Sequence, residues 1–301
     1  MKRYDSRTAI EMLRTSVKSD PNFVRAWVEL GSLVIPSNLE AGIDAFHNAT
    51  AIDSGPETLN AVALSIVEAD QDVAEALEYA RSAVRQEEEA SEKVDLAHLR
   101  VEDLRRTKRL GAYWDTLGWA YYRLGKLDDA EKYLKASWFL SQSSSVGDHL
   151  GQLYEEKGDK QAAIHVYKLA LGAASNASGG RPAMPETQAR LEKLVGTASA
   201  SRTVTDLGGM RTVHLNRLVP DSASAVFFLV FAAGPKVENV RFVSGSEKLR
   251  SAAGALMSAK FDLPFPDDGP TRIVRRGLLM CFPTTGCSFV LVPPNSVNSV
   301  D

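Results

Sequence analysis

Cysteine is nearly absent: the 301 residues hold two, Cys281 and Cys287. Two cysteines make no zinc site without histidines, and the nearest in sequence, His214, belongs to another segment. No metal is therefore expected. Long apolar runs are also missing. Nothing reaches the roughly 18 residues a membrane-spanning helix needs, and the longest run, residues 223–233 broken by Ser224, reads as a buried strand. The N-terminus, MKRYDSRTAIEML, lacks the apolar core of a signal peptide. Phosphate-cradling motifs are missing too. "SGG" at 178–180 and "LGG" at 207–209 have neither G-x-x-x-x-G-K-[ST] nor G-x-G-x-x-G order, so they read as linkers or turns, and no cofactor is expected.

Charge of one sign is scarce as well. The formal net charge is −3, which divides into −7 over residues 1–180 and +4 over 181–301. Neither part has the dense basic patch of a nucleic-acid binder. Arg272, Arg275 and Arg276 are too few for strong phosphate binding. They read as a solvated strand face, with an anionic partner surface as the alternative. A Cys281–His214–Asp221 nucleophile system has no local support, because no cysteine opens a helix or sits in a known signature. No catalytic residue is assigned, and the chain is expected not to be an enzyme.

What is present is repetition. "WDTLGWAYYRLGKLDDAEKYLKAS" (114–137) has Trp114, Leu117, Gly118 and Tyr121 in W-x2-L-G-x2-Y order. Gly125 ends the helix, and Ala130 and Leu134 follow on a second one. Leu150, Gly151, Tyr154, Gly158, Ala163, Tyr167 and Ala170 repeat the template 33 residues on. Trp27, Leu30, Gly31, Phe46 and Ala49 give it upstream. Residues 57–86 read as a degenerate helix pair around "ADQD", and 87–110 as a charged helix or helical insertion. At the start, Ala9, Leu13, Ser16 and Val17 match only a second helix, so the chain reads as a piece of a longer protein.

These residues resemble tetratricopeptide repeat proteins over about residues 5–172. The resemblance implies a mainly α fold, a solenoid of antiparallel helix pairs whose first helices line a concave groove for a peptide or protein. Carrying over the groove positions gives Asp115, Trp119, Tyr122 and Arg123 in one repeat and Asp148, Gln152, Glu155 and Glu156 in the next. The alternatives are that Trp119 packs on the 87–110 insertion, or that the end domain itself fills the groove. His149, beside Asp148, reads as capping and packing, and His47, His98 and His165 as solvated or interfacial.

After the repeat domain, 1–172, a linker spans 173–201 with a short helix at 186–195. At 202–301 the period changes from helical to two-residue. "RTVHLNRL", "SAVFFLVFA", "VENVRFVSG", "TRIVRRGLLMCF" and "CSFVLVP" read as strands, with turns at "GPK" and "PTTG". Between them "SEKLRSAAGALMSAKF" reads as a helix with Leu249, Ala252, Ala253 and Leu256 inward and Ser246 as its N-cap. This is a small α+β domain with an antiparallel sheet and one helix. Its stretch "GPKVENVRFVSGSEKLRSAAGALMSAKFDLPFP" resembles the TonB C-terminal domain. That likeness implies a protein- or envelope-binding module and a periplasmic or cell-envelope location. The whole combination also resembles the tail of larger bacterial transglutaminase-like proteins. Across the hairpin, Cys281 and Cys287 either form a disulfide or remain reduced and half-buried.

The expected function is a non-enzymatic scaffold binding a peptide or partner protein in the groove. The alternatives are a regulatory or substrate-presenting tail of a secreted transglutaminase-like or hydrolytic enzyme, and an envelope docking module with an envelope-protein partner. Neither nucleic-acid binding nor membrane insertion is expected.

Overall fold

The structure, a computed structural model, describes residues 6–177, 184–197, 209–216, 218–219, 221–232, 236–266, 270–293 and 299–300. The "SGG" at 178–180, most of "LGG" and of "GPK", and the linker positions 178–183 and 198–201 lie outside them. The fold is mainly helical, followed by a five-stranded antiparallel sheet. Helices α1 Ser6–Ser19, α2 Val24–Val34, α3 Leu39–Ile52, α4 Pro56–Glu68 and α5 Val73–Ser91 come first. They are followed by α6 Val101–Arg123, α7 Leu127–Ser141, α8 Ser144–Glu156, α9 Lys160–Ala177 and α10 Pro185–Val195. No helix among the described residues is long and apolar enough to cross a membrane.

The chain divides into two compact units, residues 1–87 with 116–130, and residues 88–115 with 131–301. In the first, Val17, Ala26, Leu30, Val34 and Ala45 form a core closed by Ile10, Leu13 and Trp27. Gly31 is there because a ring lies on it. A Cβ at that position would run into the Phe46 ring, so only glycine lets α2 and α3 approach this closely.

Helix ends recur with the same chemistry. At the end of α6, Gly125 stands at φ 70°, its N–H bonds the Tyr122 carbonyl at 2.9 Å, and the Lys126 N–H bonds the Tyr121 carbonyl at 2.9 Å. The end of α8 repeats this with Gly158 at φ 77°, bonding Glu155, while Asp159 bonds Tyr154. Both are Schellman closures, which satisfy the last carbonyls of a helix through one left-handed residue. The end of α4 makes the same pair of bonds with Asp70 at φ 53°. The repeat that reads as degenerate therefore keeps the turn and replaces its glycine with aspartate, one of the few side chains that tolerate this region.

In the second unit, β1 Thr212–Leu215, β2 Ala223–Ala232, β3 Lys236–Gly245, β4 Arg272–Phe282 and β5 Gly286–Leu291 form a sheet in the order β1-β5-β4-β2-β3. Side chains alternate between faces. One face places Phe228, Val230 and Val274 against Val94, Leu96, Leu99 and Leu104, on the segment entering α6. The other carries Phe227, Phe231 and Phe289, all fully buried, with Leu249, Leu256, Phe261 and Leu263 buried in the segment that crosses from β3 to β4. Gly277 admits the Phe289 ring, which would overlap any Cβ there.

Two findings correct the sequence reading of this region. The helix expected at 246–261 is a 3-10 turn, Glu247–Ala252, leading into a short α11, Ala253–Met257, and Ser246 makes no side-chain cap bond. Of the inward set, Leu249, Ala252 and Leu256 are buried and Ala253 is half-buried. Arg275, read as solvated, is 1% exposed. It pairs across the sheet with Leu229, inside the second apolar face.

The charged stretch at 87–110 is where the sheet is seated. Beside β4, the Arg272 N–H donates to Ser91 Oγ at 2.9 Å and the Val274 N–H to Thr107 Oγ1 at 3.0 Å. Arg241 Nη1 donates to the Leu96 carbonyl at 2.8 Å, and Arg272 Nη1 donates to the Glu92 carbonyl. Ser91 and Thr107 are buried, and they satisfy strand N–H groups that would otherwise lose a bond to water.

Candidate functional site

In the first unit, the last two turns of α6 carry Trp119, Tyr122 and Arg123. The Trp119 and Tyr122 rings stack with centroids 4.5 Å apart and planes 9° from parallel. Trp119 is 7% exposed, whereas Tyr122 is half-buried. Arg123 has its guanidinium 5.8 Å from the Trp119 ring centroid, and its Nε donates to Asp70 Oδ1 at 2.9 Å. The left-handed aspartate closing α4 therefore also fixes the arginine. On neighbouring first helices, Ser32 Oγ and Ser65 Oγ share a hydrogen bond of 2.6 Å. Asp70 is the partner that motif reading missed. Its place in "ADQD" carries no signal unless the turn is recognised.

In the second unit, Asp115 Oδ1 meets His149 Nδ1 at 2.9 Å. His149 lies inside α8, well past its start, so packing accounts for it and capping does not. Asp148 is buried and accepts four bonds. Thr187 Oγ1 donates at 2.6 Å, Arg190 Nη1 at 2.9 Å to each carboxylate oxygen, and Gln152 Nε2 at 2.8 Å. Thr187 and Arg190 belong to α10, so Asp148 and Gln152 hold that helix. Glu155 accepts from the Tyr167 hydroxyl at 2.5 Å. Burial, and then Glu155, pushes the Tyr167 phenol well above its ordinary value. Glu156 is exposed.

A further ion pair ties the repeats of this unit. Glu131 on α7 accepts from Lys157, beyond α8, at 2.5 Å and also pairs with Lys135. Burial works to raise its carboxyl, but the two ammonium groups outweigh burial and hold it below its ordinary value. A hollow of about 500 Å³ opens nearby, lined by Trp138, Phe139, Leu150, Tyr154, Val166 and Leu169 among others.

Cys281 and Cys287 are directly opposed on β4 and β5 and are joined by a disulfide. His214 meets Ser288 Oγ at 3.0 Å, and Asp221 pairs with Lys248 at 3.3 Å, so neither stands as base or orienter to a thiol. Among the described residues, no group of three His, Cys, Asp or Glu side chains gathers as a metal site.

Comparison with known proteins agrees with the repeat geometry. The tetratricopeptide repeat family matches residues 112–137 and 148–176, the two helix pairs α6–α7 and α8–α9. Solved structures with similar folds include PilW, described as a widely conserved type IV pilus biogenesis factor. It is 18% identical, with 65% of this chain and 81% of that one covered, at a TM-score of 0.47. A thermophilic TPR protein of Thermus thermophilus is 17% identical over 63% and 90%, at 0.45. MamA is 18% identical over 58% and 92%, at 0.40. No curated protein matches in sequence. The chain carries tetratricopeptide repeats followed by an α+β domain, and the repeats support a protein-interaction scaffold.

Proposed function

We propose that the chain is a non-enzymatic scaffold holding a peptide or partner protein on the first-helix face of its repeats. The observation that carries this reading is the half-buried Tyr122, backed by the buried Trp119 ring and flanked by an Arg123 that Asp70 holds in place. A rigid aromatic with an oriented charge beside it is the usual composition of an interface anchor. Asp148, Gln152 and Glu155 serve α10 and Tyr167, so in the second unit Glu156 is the contact residue and Asp115 acts through His149. A half-buried aromatic flanked by an oriented arginine suits a segment with apolar and acidic side chains. The test is capture of a partner by the parent chain and by a Tyr122→Ala/Arg123→Ala variant whose helicity is unchanged. Loss in the variant supports the reading, and equal capture contradicts it.

A second reading, an envelope-associated docking module, is favoured by the Cys281–Cys287 pair, since disulfides persist in oxidising compartments. It accords with the TonB-like order of "GPKVENVRFVSG" and "FDLPFP". Alkylation of intact cells before lysis distinguishes the two. Cysteines that resist labelling until reduced favour the envelope, and directly labelled ones place the chain in a reducing compartment. The third reading, a tail of a transglutaminase-like enzyme, requires activity that appears only with an upstream region attached.

A further inference from the structure

Arg275 poses the sharpest chemical question in the chain. It sits mid-strand on β4, 1% exposed, with Leu229 opposite and buried Phe227, Phe231 and Phe289 on the same face. One of its nitrogens, Nη2, donates to the Val292 carbonyl at 3.2 Å. Nε and Nη1 are buried and have no hydrogen-bond partner among the described residues. Its guanidinium lies 5.7 Å from the centroid of the Phe139 ring. An arginine buried among apolar groups with two donors unmade is costly, because both desolvation of the charge and the lost bonds weigh against folding. Such a residue persists where something else completes it.

Beside it lies a cavity of about 410 Å³. Phe139, under the guanidinium, forms part of its wall, as does Leu291, the neighbour of Val292. The polar side chains of the lining are Arg211, Thr212, His214 and Lys260, with Asp262 the acid among them. Burial, and secondarily the charge of Arg211, lowers the Arg275 guanidinium to about 9. The same proximity of positive charges that disfavours this cation creates a potential that favours an anion.

We propose that this cavity in the second unit is an anion-binding site whose ligand carries a carboxylate or phosphate group, with Arg275 and Arg211 as the charges that draw it. Arginine suits this task because its planar fork matches the oxygens of either group. Arg275 is not itself part of the cavity wall, so a bound oxyanion compensates the buried guanidinium by its charge, across a setting that water screens little. Asp262 lines this cavity and the neighbouring hollow, and its carboxylate repels an anion that extends to it. The site is independent of the first-helix face and stands whether or not that face binds a partner.

The experiment is calorimetric titration of the full chain at constant ionic strength, with inorganic phosphate in one arm and acetate in the other. Binding is expected with a dissociation constant of roughly 1 mM. Arg275→Met should weaken it at least about tenfold, and Arg276→Met, on the opposite face of the same strand, should leave it unchanged. A preference for phosphate or for acetate identifies which group the natural ligand carries. If neither anion binds, or if Arg275→Met binds as the parent does, the proposal fails. Should Arg275→Met not fold, the assigned Nε–Hε resonance of Arg275 in the parent decides. It shifts on titration if the proposal holds and stays fixed if it does not.

Discussion

The Trp119 and Tyr122 rings lie face to face, 4.5 Å between centroids, yet one is buried and the other half-buried. This asymmetry separates support from contact within a single stack. Trp119→Ala removes a buried ring and should destabilise the protein by roughly 3–5 kcal/mol. Tyr122→Ala should cost much less, about 1 kcal/mol, the scale of a lost aromatic pair. Chemical denaturation of the two variants measures both. Equal losses would mean that Tyr122 is packing as well.

Gly151 makes a second prediction. A Cβ at this position would run into the Tyr167 ring, and that ring is fully buried and bonded to Glu155, so it has nowhere to retreat. Gly151→Ala gains helix propensity but forces α8 and α9 apart, and should destabilise by roughly 1–3 kcal/mol. At Gly254, where nothing lies within 4 Å, the same substitution should be neutral or better. Denaturation midpoints of the pair compare the two.

The repeats were legible because the residues that specify them are local and ordered. Gly31 and Gly151 seat rings, Gly125 and Gly158 close helices, and all recur at fixed spacing. The strands were legible from alternation. What stayed hidden depends on partners far away in sequence. Asp148 has the spacing of a groove residue, but Arg190 and Thr187, some forty positions on, claim it. Arg275 alternates like a solvated strand residue, and only its place in a sheet covered on both faces buries it. The helix expected after Ser246 has the right apolar positions, and tertiary packing winds its first half as a 3-10 turn instead.

Removing Asp148 should release α10. Asp148→Ala leaves the Thr187 hydroxyl and the Arg190 guanidinium without the carboxylate that pairs them. Since Arg190 is partly solvated, its loss is discounted, and the cost should be roughly 2 kcal/mol. Hydrogen exchange should locate it, with amides of α10 losing protection and those of α2 and α3 unchanged. Uniform loss across the chain would contradict the assignment.

Arg275 also gives the protein an alkaline signature. Burial lowers its guanidinium from the ordinary value to about 9 in the folded state. Below about pH 9 both states carry the charge, and the folded one bears the full desolvation penalty. Above about pH 9 the folded state sheds the proton while the unfolded state keeps it until its ordinary, higher value is reached, so stability rises with pH in that window. Arg275→Met has no such penalty to lose. The stability difference, variant minus parent, should therefore favour the variant at about pH 8 without added anion and shrink by about pH 10.5. A difference independent of pH would show that the charge is compensated within the fold.

The most direct test of the scaffold reading is site-specific photo-crosslinking. A benzophenone side chain is placed at position 122 and, as a control, at exposed Met257 in the other unit. The prediction is a single crosslinked partner at 122, absent at 257, competed away by excess unlabelled parent chain and not by the Arg123→Ala chain. If 122 yields no adduct beyond what 257 yields, the first-helix face is not a binding surface, and the stacked pair is part of the packing of α6.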